Sequence, residues 1–205
     1  MAANNESNIV RMLDRARAGD QQELGRLFES CRSYLAIIAR TQMESWMHAK
    51  VDASDIVQET LLEAHRDFGR FHGGTAGEWL AWLRGILANN SADLIRKYRG
   101  TEKRQTRREV PLRAGSDESA VRGVAELADS VETPSVQLMR QERELHLADA
   151  IVQLAPDYQE VIVLRNLQRL PFDEVAQRMG RSRPAVQMLW MRAIRKLQEE
   201  LGSDA

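Results

Sequence analysis

The sequence predicts an all-α protein: two small helical domains joined by a flexible linker. Three observations carry this. Apolar residues recur at helical spacing from about Asn8 to Arg99 and again from Ser135 to Leu201. Between them, over 100–134, that periodicity lapses into a polar, highly charged stretch. Aromatic residues make up only 5% of the chain and turn dipeptides are scarce, which argues against an all-β architecture. The expected organisation is a first domain over 8–99, a linker over 100–134 and a second domain over 135–201. A chain of 205 residues accommodates this, since a domain usually takes roughly 100–200 residues and small helical ones take fewer.

Several classes are set aside at the same level. No apolar run approaches the roughly 20 residues that span a bilayer, so no membrane insertion is expected. The start, MAANNESNIV, lacks a basic segment followed by an apolar one and does not read as a secretory signal. The lone cysteine, Cys31, has no partner within the chain, which fits a reducing cytoplasm. His48, His65, His72 and His146 show no metal-ligand spacing with one another or with Cys31. There is no phosphate-binding glycine loop and no nucleophile elbow. No cofactor, metal site or enzymatic activity is expected.

A formal net charge of −1 seems to argue against a nucleic-acid binder. The charge, however, is segregated. Residues 51–68 hold five acids against one arginine, and 109–133 hold six acids against two arginines. Residues 95–108 hold seven cations against one acid, and 181–197 hold five cations and no acid.

In chain order, the first informative helix lies over 52–68. Val57, Leu61, Ala64 and Phe68 share its core side. Asp52, Asp55, Glu59 and Glu63 cluster opposite, flanked by Ile56 and Leu62, and Asp52 also suits the N-cap. Such an acidic stripe is either a solvated face or a docking face for a basic partner. Gly73-Gly74 and Gly77 then break the chain before a helix with Trp79, Leu83, Ile86 and Leu87 at core spacing and Trp82 near the edge. Asn89, Asn90, Asp93, Arg96, Lys97 and Arg99 follow on that helix and its exit. Tryptophans beside Asn and Arg are one composition for gripping single-stranded DNA, although both rings also suit a core. The linker carries one short helical expectation, near Val121–Leu127.

In the second domain a helix from about Ser135 is broken at Ala155-Pro156. A second helix is expected over 157–168, then a short one over 172–179, a turn at Gly180-Arg181, and a longer helix capped by Ser182. On the last helix Val186, Leu189, Trp190, Ala193, Leu197 and Leu201 share the packing face. Pro184, Gln187, Met188, Met191, Arg192 and Arg195 face away, without an acid among them. A cationic, exposed second helix behind a glycine turn is what major-groove insertion requires, and a plain bundle with a basic face is the other reading.

Taken together, RARAGDQQELGRLFESCRSYLAIIAR, DIVQET within DASDIVQETLLEAHRDFGRF, EWLAWLRGILANNSADLIRKYR and LPFDEVAQRMGRS ahead of the last helix resemble the bacterial RNA polymerase sigma factors of the extracytoplasmic-function group. The resemblance runs over nearly the whole chain. It implies a region 2-like bundle and a region 4-like helix-turn-helix, in a factor that binds core polymerase, recognises the −35 and −10 promoter elements and assists melting. It places core docking, on a coiled coil of the β′ subunit with further contact to the β subunit, at Asp55, Gln58 and Glu59. The segment 71–77 resembles the loop that captures a flipped −10 base, which puts Phe71, His72, Thr75, Trp82, Asn89 and Arg96 at the −10 strand. Arg183, Pro184, Gln187, Met188, Met191 and Arg192 fall at the −35 reading positions. Here the sequence departs from its relatives: Ala185, Gln187, Met188 and Leu189 stand where Thr, Arg or Ser are common, so no −35 preference is carried over.

The partners implied are core RNA polymerase, promoter DNA and an anti-sigma factor, all met in the cytoplasm. The competing expectation is a stand-alone helix-turn-helix regulator that does not act through polymerase. A flexible chain of about 35 residues spans roughly 30 Å and reaches about 115 Å when extended. Promoter elements about 25 base pairs apart lie about 85 Å apart, so the linker suffices only when well stretched.

Overall fold

The computed structural model describes residues 3–43, 52–106 and 134–203, and all regular structure among them is helical. The expected turn near Val121–Leu127 lies outside the described residues. The first group comprises α1 (Ala3–Arg17), α2 (Gln21–Ser30), α3 (Arg32–Gln42), α4 (Ala53–Asp67) with a 3-10 turn (Phe68–Arg70), and α5 (Ala76–Thr106). The second comprises α6 (Pro134–Gln153), α7 (Pro156–Ile162) continuing into a π-turn (Val163–Leu167), α8 (Phe172–Arg178) and α9 (Arg183–Ser203).

Local chemistry sets the boundaries. α1 stops at Gly19, whose φ of 98° is open to glycine and costly for other residues. Asp20 then caps α2, accepting from the amides of Gln22 (3.0 Å) and Glu23 (3.1 Å). Asp52 caps α4 as expected, accepting from the Ser54 amide at 3.0 Å. α5 runs on to Thr106, past the boundary expected at Arg99, so the basic segment leaves the first group as helix. Lys and Arg are good helix formers, and Gly100 alone does not break so long a run.

α3 is the hub, packing against α4, α5 and α6. Trp79, Leu83 and Leu87 are fully buried, as their spacing predicts. Cys31 is fully buried at the junction of α2 and α3, where its Sγ accepts the Trp79 indole N–H at 3.3 Å. Ile56 departs from expectation. It is buried instead of flanking the acidic stripe, because α4 is covered over a wider arc than a narrow apolar seam.

In the second group, Pro156 opens α7 where its missing N–H is harmless. The helix expected over 157–168 instead loosens after Ile162: the Gln168 amide reaches back to Val163 and the Leu170 amide to Leu164. Arg169 takes a left-handed φ of 58°, and the Arg165 guanidinium secures this exit by donating to the Leu170 carbonyl at 2.8 Å. Gly180, at φ 61°, makes the turn before α9, with the Arg181 amide bonded to the Ala176 carbonyl.

The two groups meet along α3. Tyr34 Oη donates to Glu144 at 3.4 Å, Arg40 donates to the Gln159 side chain, and Gln168 Nε2 donates to the carbonyls of Arg40 (3.2 Å) and Thr41 (3.4 Å). The Gln159 amide also ties down the end of α6, at the carbonyls of Val152 and Leu154.

Candidate nucleic-acid interface

Asp55, Gln58 and Glu59 are all exposed on one side of α4, and among the described residues no cation pairs with Asp55 or Glu59. Leu62, 58% exposed, extends that face with an apolar side chain. An unpaired acidic ridge with an exposed leucine suits a basic protein surface better than DNA, whose phosphates it would repel.

The loop between the 3-10 turn and α5 holds His72 and Thr75 at the surface and Phe71 beneath. The Phe71 ring stacks on Trp82 (centroids 5.0 Å apart, planes at 29°) and meets Trp79 edge-on at 5.2 Å. In this arrangement Phe71 does not present its ring to solvent as the expected −10 contact. It is the floor on which the loop and the half-buried Trp82 rest. Thr75 and Glu78 form a capping box. Thr75 Oγ1 accepts the Glu78 amide, while the Glu78 carboxylate accepts the Thr75 hydroxyl and the amides of Gly74 and Thr75. The Thr75 hydroxyl bond first, then the two amides and the nearby Arg17 charge, hold the Glu78 carboxyl below its usual pKa.

Along α5, Asn89 and Arg96 are exposed, and Arg96 is paired with Asp93. Asn90 turns inward instead, its amide donating to Thr60 Oγ1 at 3.3 Å and fastening α5 to α4. Two residues that the sequence did not single out shape this surface. Glu78 was legible in the T-x-x-E spacing before a helix. Arg17 was not: it donates to the carbonyls of Phe71 and Gly73 from 54 and 56 residues away, and no local pattern encodes that.

On α9 the packing face is as expected: Val186 and Ala193 are fully buried, Leu197 nearly so, and Leu189 and Trp190 are half-buried. Arg183, Pro184, Met188, Met191 and Arg192 are exposed and Gln187 is half-exposed. Met188 and Met191 are 49% and 55% exposed. Arg183 leans on Asp173 of α8 at 3.2 Å, whereas no acid among the described residues pairs with Arg192. Among the described residues no three His, Cys, Asp or Glu groups assemble as a metal site.

The family described as Sigma-70, region 4 matches residues 145–197, which span α6 to α9. The chain is 31% identical over 152 residues to the RNA polymerase sigma factor CarQ of Myxococcus xanthus, covering 73% of this chain and 75% of that one. It is 31% identical over 209 aligned positions to the ECF RNA polymerase sigma factor BldN of Streptomyces coelicolor, covering 100% and 70%. A solved structure of CnrH with the cytosolic domain of CnrY is 23% identical over 97% of this chain and 99% of that one, with a TM-score of 0.37.

Proposed function

The chain belongs to the extracytoplasmic-function sigma factors of RNA polymerase, and from that premise we propose a division of labour over its surface. The acidic ridge of α4 (Asp55, Gln58, Glu59) docks on core polymerase, at the β′ coiled coil. The loop of His72 and Thr75, floored by Phe71, together with Trp82, Asn89 and Arg96, holds the −10 strand. The outer face of α9 (Arg183, Pro184, Gln187, Met188, Met191, Arg192) reads the −35 duplex. In this reading residues 8–99 form the docking and −10 domain, 135–201 the −35 domain, and the segment between them spans the promoter along the β subunit.

The observation that carries the −35 assignment is the exposed, acid-free face of α9 behind the Gly180 turn. A helix in the major groove needs cations for phosphates and uncommitted side chains for base edges. The chain supplies recognition, and the polymerase supplies the chemistry. No helix among the described residues is long and apolar enough to cross a membrane, and the proposed site of action is the cytoplasm, where the polymerase is met. An anti-sigma factor is the proposed negative partner.

Affinity for purified core polymerase tests the docking assignment. Asp55→Arg is expected to weaken it about tenfold, as charge reversal at an interface typically does, while the affinity of the full chain for −35 duplex stays unchanged. Equal core affinity for both proteins removes the docking assignment.

A further inference from the structure

We infer that Arg17, the last residue of α1, is a positioning residue for −10 recognition: it sets the shape of the loop over Phe71–Thr75 by holding that loop's carbonyls. The inference rests on the proposed −10 role of this loop and names a residue outside it.

The backbone of an exposed loop usually satisfies its polar groups with water and keeps its freedom. This one does not. The Phe71 amide donates to the Phe68 carbonyl at 3.0 Å, and the Thr75 carbonyl accepts the Trp79 amide at 3.1 Å. Between those anchors, the carbonyls of Phe71 and Gly73 are taken by the Arg17 guanidinium, and the amides of Gly74 and Thr75 by the Glu78 carboxylate. Two side chains of opposite charge, one from α1 and one from α5, thus hold the loop from its two sides. The Arg17 guanidinium also lies 5.5 Å from the centroid of the Phe71 ring, the ring on which Trp82 stacks. The loop is drawn in so tightly that a Cβ on Gly73 would come within 2.6 Å of the Phe71 ring and 2.8 Å of Glu78 Cβ. Only glycine leaves that space free.

A loop fixed before its ligand arrives loses less entropy on binding. A base taken out of its stack costs free energy that only well-placed contacts offset. Arg17 therefore acts on the strand through the loop, in contrast to a cation that meets a phosphate directly. The two roles differ in chemistry. The planar guanidinium reaches two carbonyls at once, and a lysine ammonium provides charge without that fork. A phosphate contact contributes about 0.7 to the salt slope of single-strand binding, and a contact to loop carbonyls contributes nothing to it.

The experiment uses the holoenzyme, core polymerase with the full chain, and a pool of randomised single-stranded DNA. The wild-type holoenzyme selects a strand, and affinity for that strand is measured as a function of salt. Arg17→Ala is expected to lower that affinity about tenfold, the scale of one or two hydrogen bonds. It should flatten base preference at the captured position and leave both the salt slope and core affinity unchanged. Arg17→Lys should not restore the preference. Gly73→Ala, which alters no charge, should reproduce the loss from the other side of the loop. Full rescue by Arg17→Lys with a reduced slope in Arg17→Ala overturns the inference in favour of a phosphate contact, and unchanged base preference in Arg17→Ala overturns it outright. A wild-type holoenzyme that selects no base in a single strand removes the −10 reading itself, and this inference with it.

Discussion

Cys31 shows how one buried side chain serves the fold without serving the chemistry. Burial, partly countered by the Trp79 indole N–H, pushes its thiol up to about 11. A group whose protonated form is favoured in the folded state stabilises it below the unfolded pKa, near 9, and that stabilisation is lost as pH rises toward 11. Tyr34, raised mainly by burial to about 12, adds a loss at still higher pH. Stability is therefore expected to fall between about pH 9 and 11 by up to about 3 kcal/mol from Cys31 alone. Denaturant titrations across that range check this, and a flat profile contradicts it. The same burial makes the thiol inert to iodoacetamide at neutral pH until the chain unfolds. Glu78 works in the opposite sense. Its carboxyl is held low, so the capping box is intact at neutral pH and is lost as acid protonates it. The indole partner of Cys31 is not legible in the sequence, because Trp79 lies 48 residues away.

Among the elements, α4 and α9 were the most legible. Both have one packed and one solvated face, and the helical period separates the two without knowledge of any neighbour. Ile56 was misplaced because periodicity marks the centre of the buried arc and not its width, which α3 and α5 set by covering α4. The π-turn after Ile162 was invisible for a related reason. Val163, Leu164 and Leu167 continue a helical pattern, and the change of winding appears only in the backbone bonds of Gln168 to Val163 and Leu170 to Leu164, secured by the Arg165 bond to the Leu170 carbonyl. Phe71, which the resemblance places at the −10 strand, sits as a floor, since an aromatic in a glycine-rich loop carries no signal of which way it turns.

On α9 the exposed side chains divide into two kinds. Arg192, exposed and free of acidic partners among the described residues, is the proposed phosphate contact. Met188 offers apolar surface of the kind that meets a thymine methyl. Arg192→Ala should weaken duplex binding about equally on all sequences and lower the salt slope by about one. Met188→Ala should leave the slope unchanged and reduce discrimination at one −35 position. Competition binding at several salt concentrations separates the two, and identical behaviour of the variants would merge the roles.

For the whole molecule, the seam along α3 sets a geometric condition. Packed helices lie about 8–10 Å apart, so two groups joined side by side cannot occupy promoter elements about 85 Å apart. Under the proposed assignment of the two groups to the −10 and −35 elements, the polar contacts of Tyr34, Arg40 and Gln168 across that seam part when the promoter is engaged. Dyes placed through Arg66→Cys and Gln198→Cys, in a Cys31→Ala background, should transfer energy efficiently in the free chain and poorly in the promoter-bound holoenzyme. Unchanged transfer contradicts the opening. The same scale explains the near-neutral charge. The acids of α4 suit a basic protein surface and the cations of α5 and α9 suit DNA, so their sum says little about either. The measurement that bears most directly on the whole account is initiation by reconstituted core polymerase on a promoter library, with and without this chain. Transcripts that start at defined sites only in its presence, from templates sharing two elements at fixed spacing, are the predicted result. Duplex binding by the chain alone, with no new start sites, would contradict it.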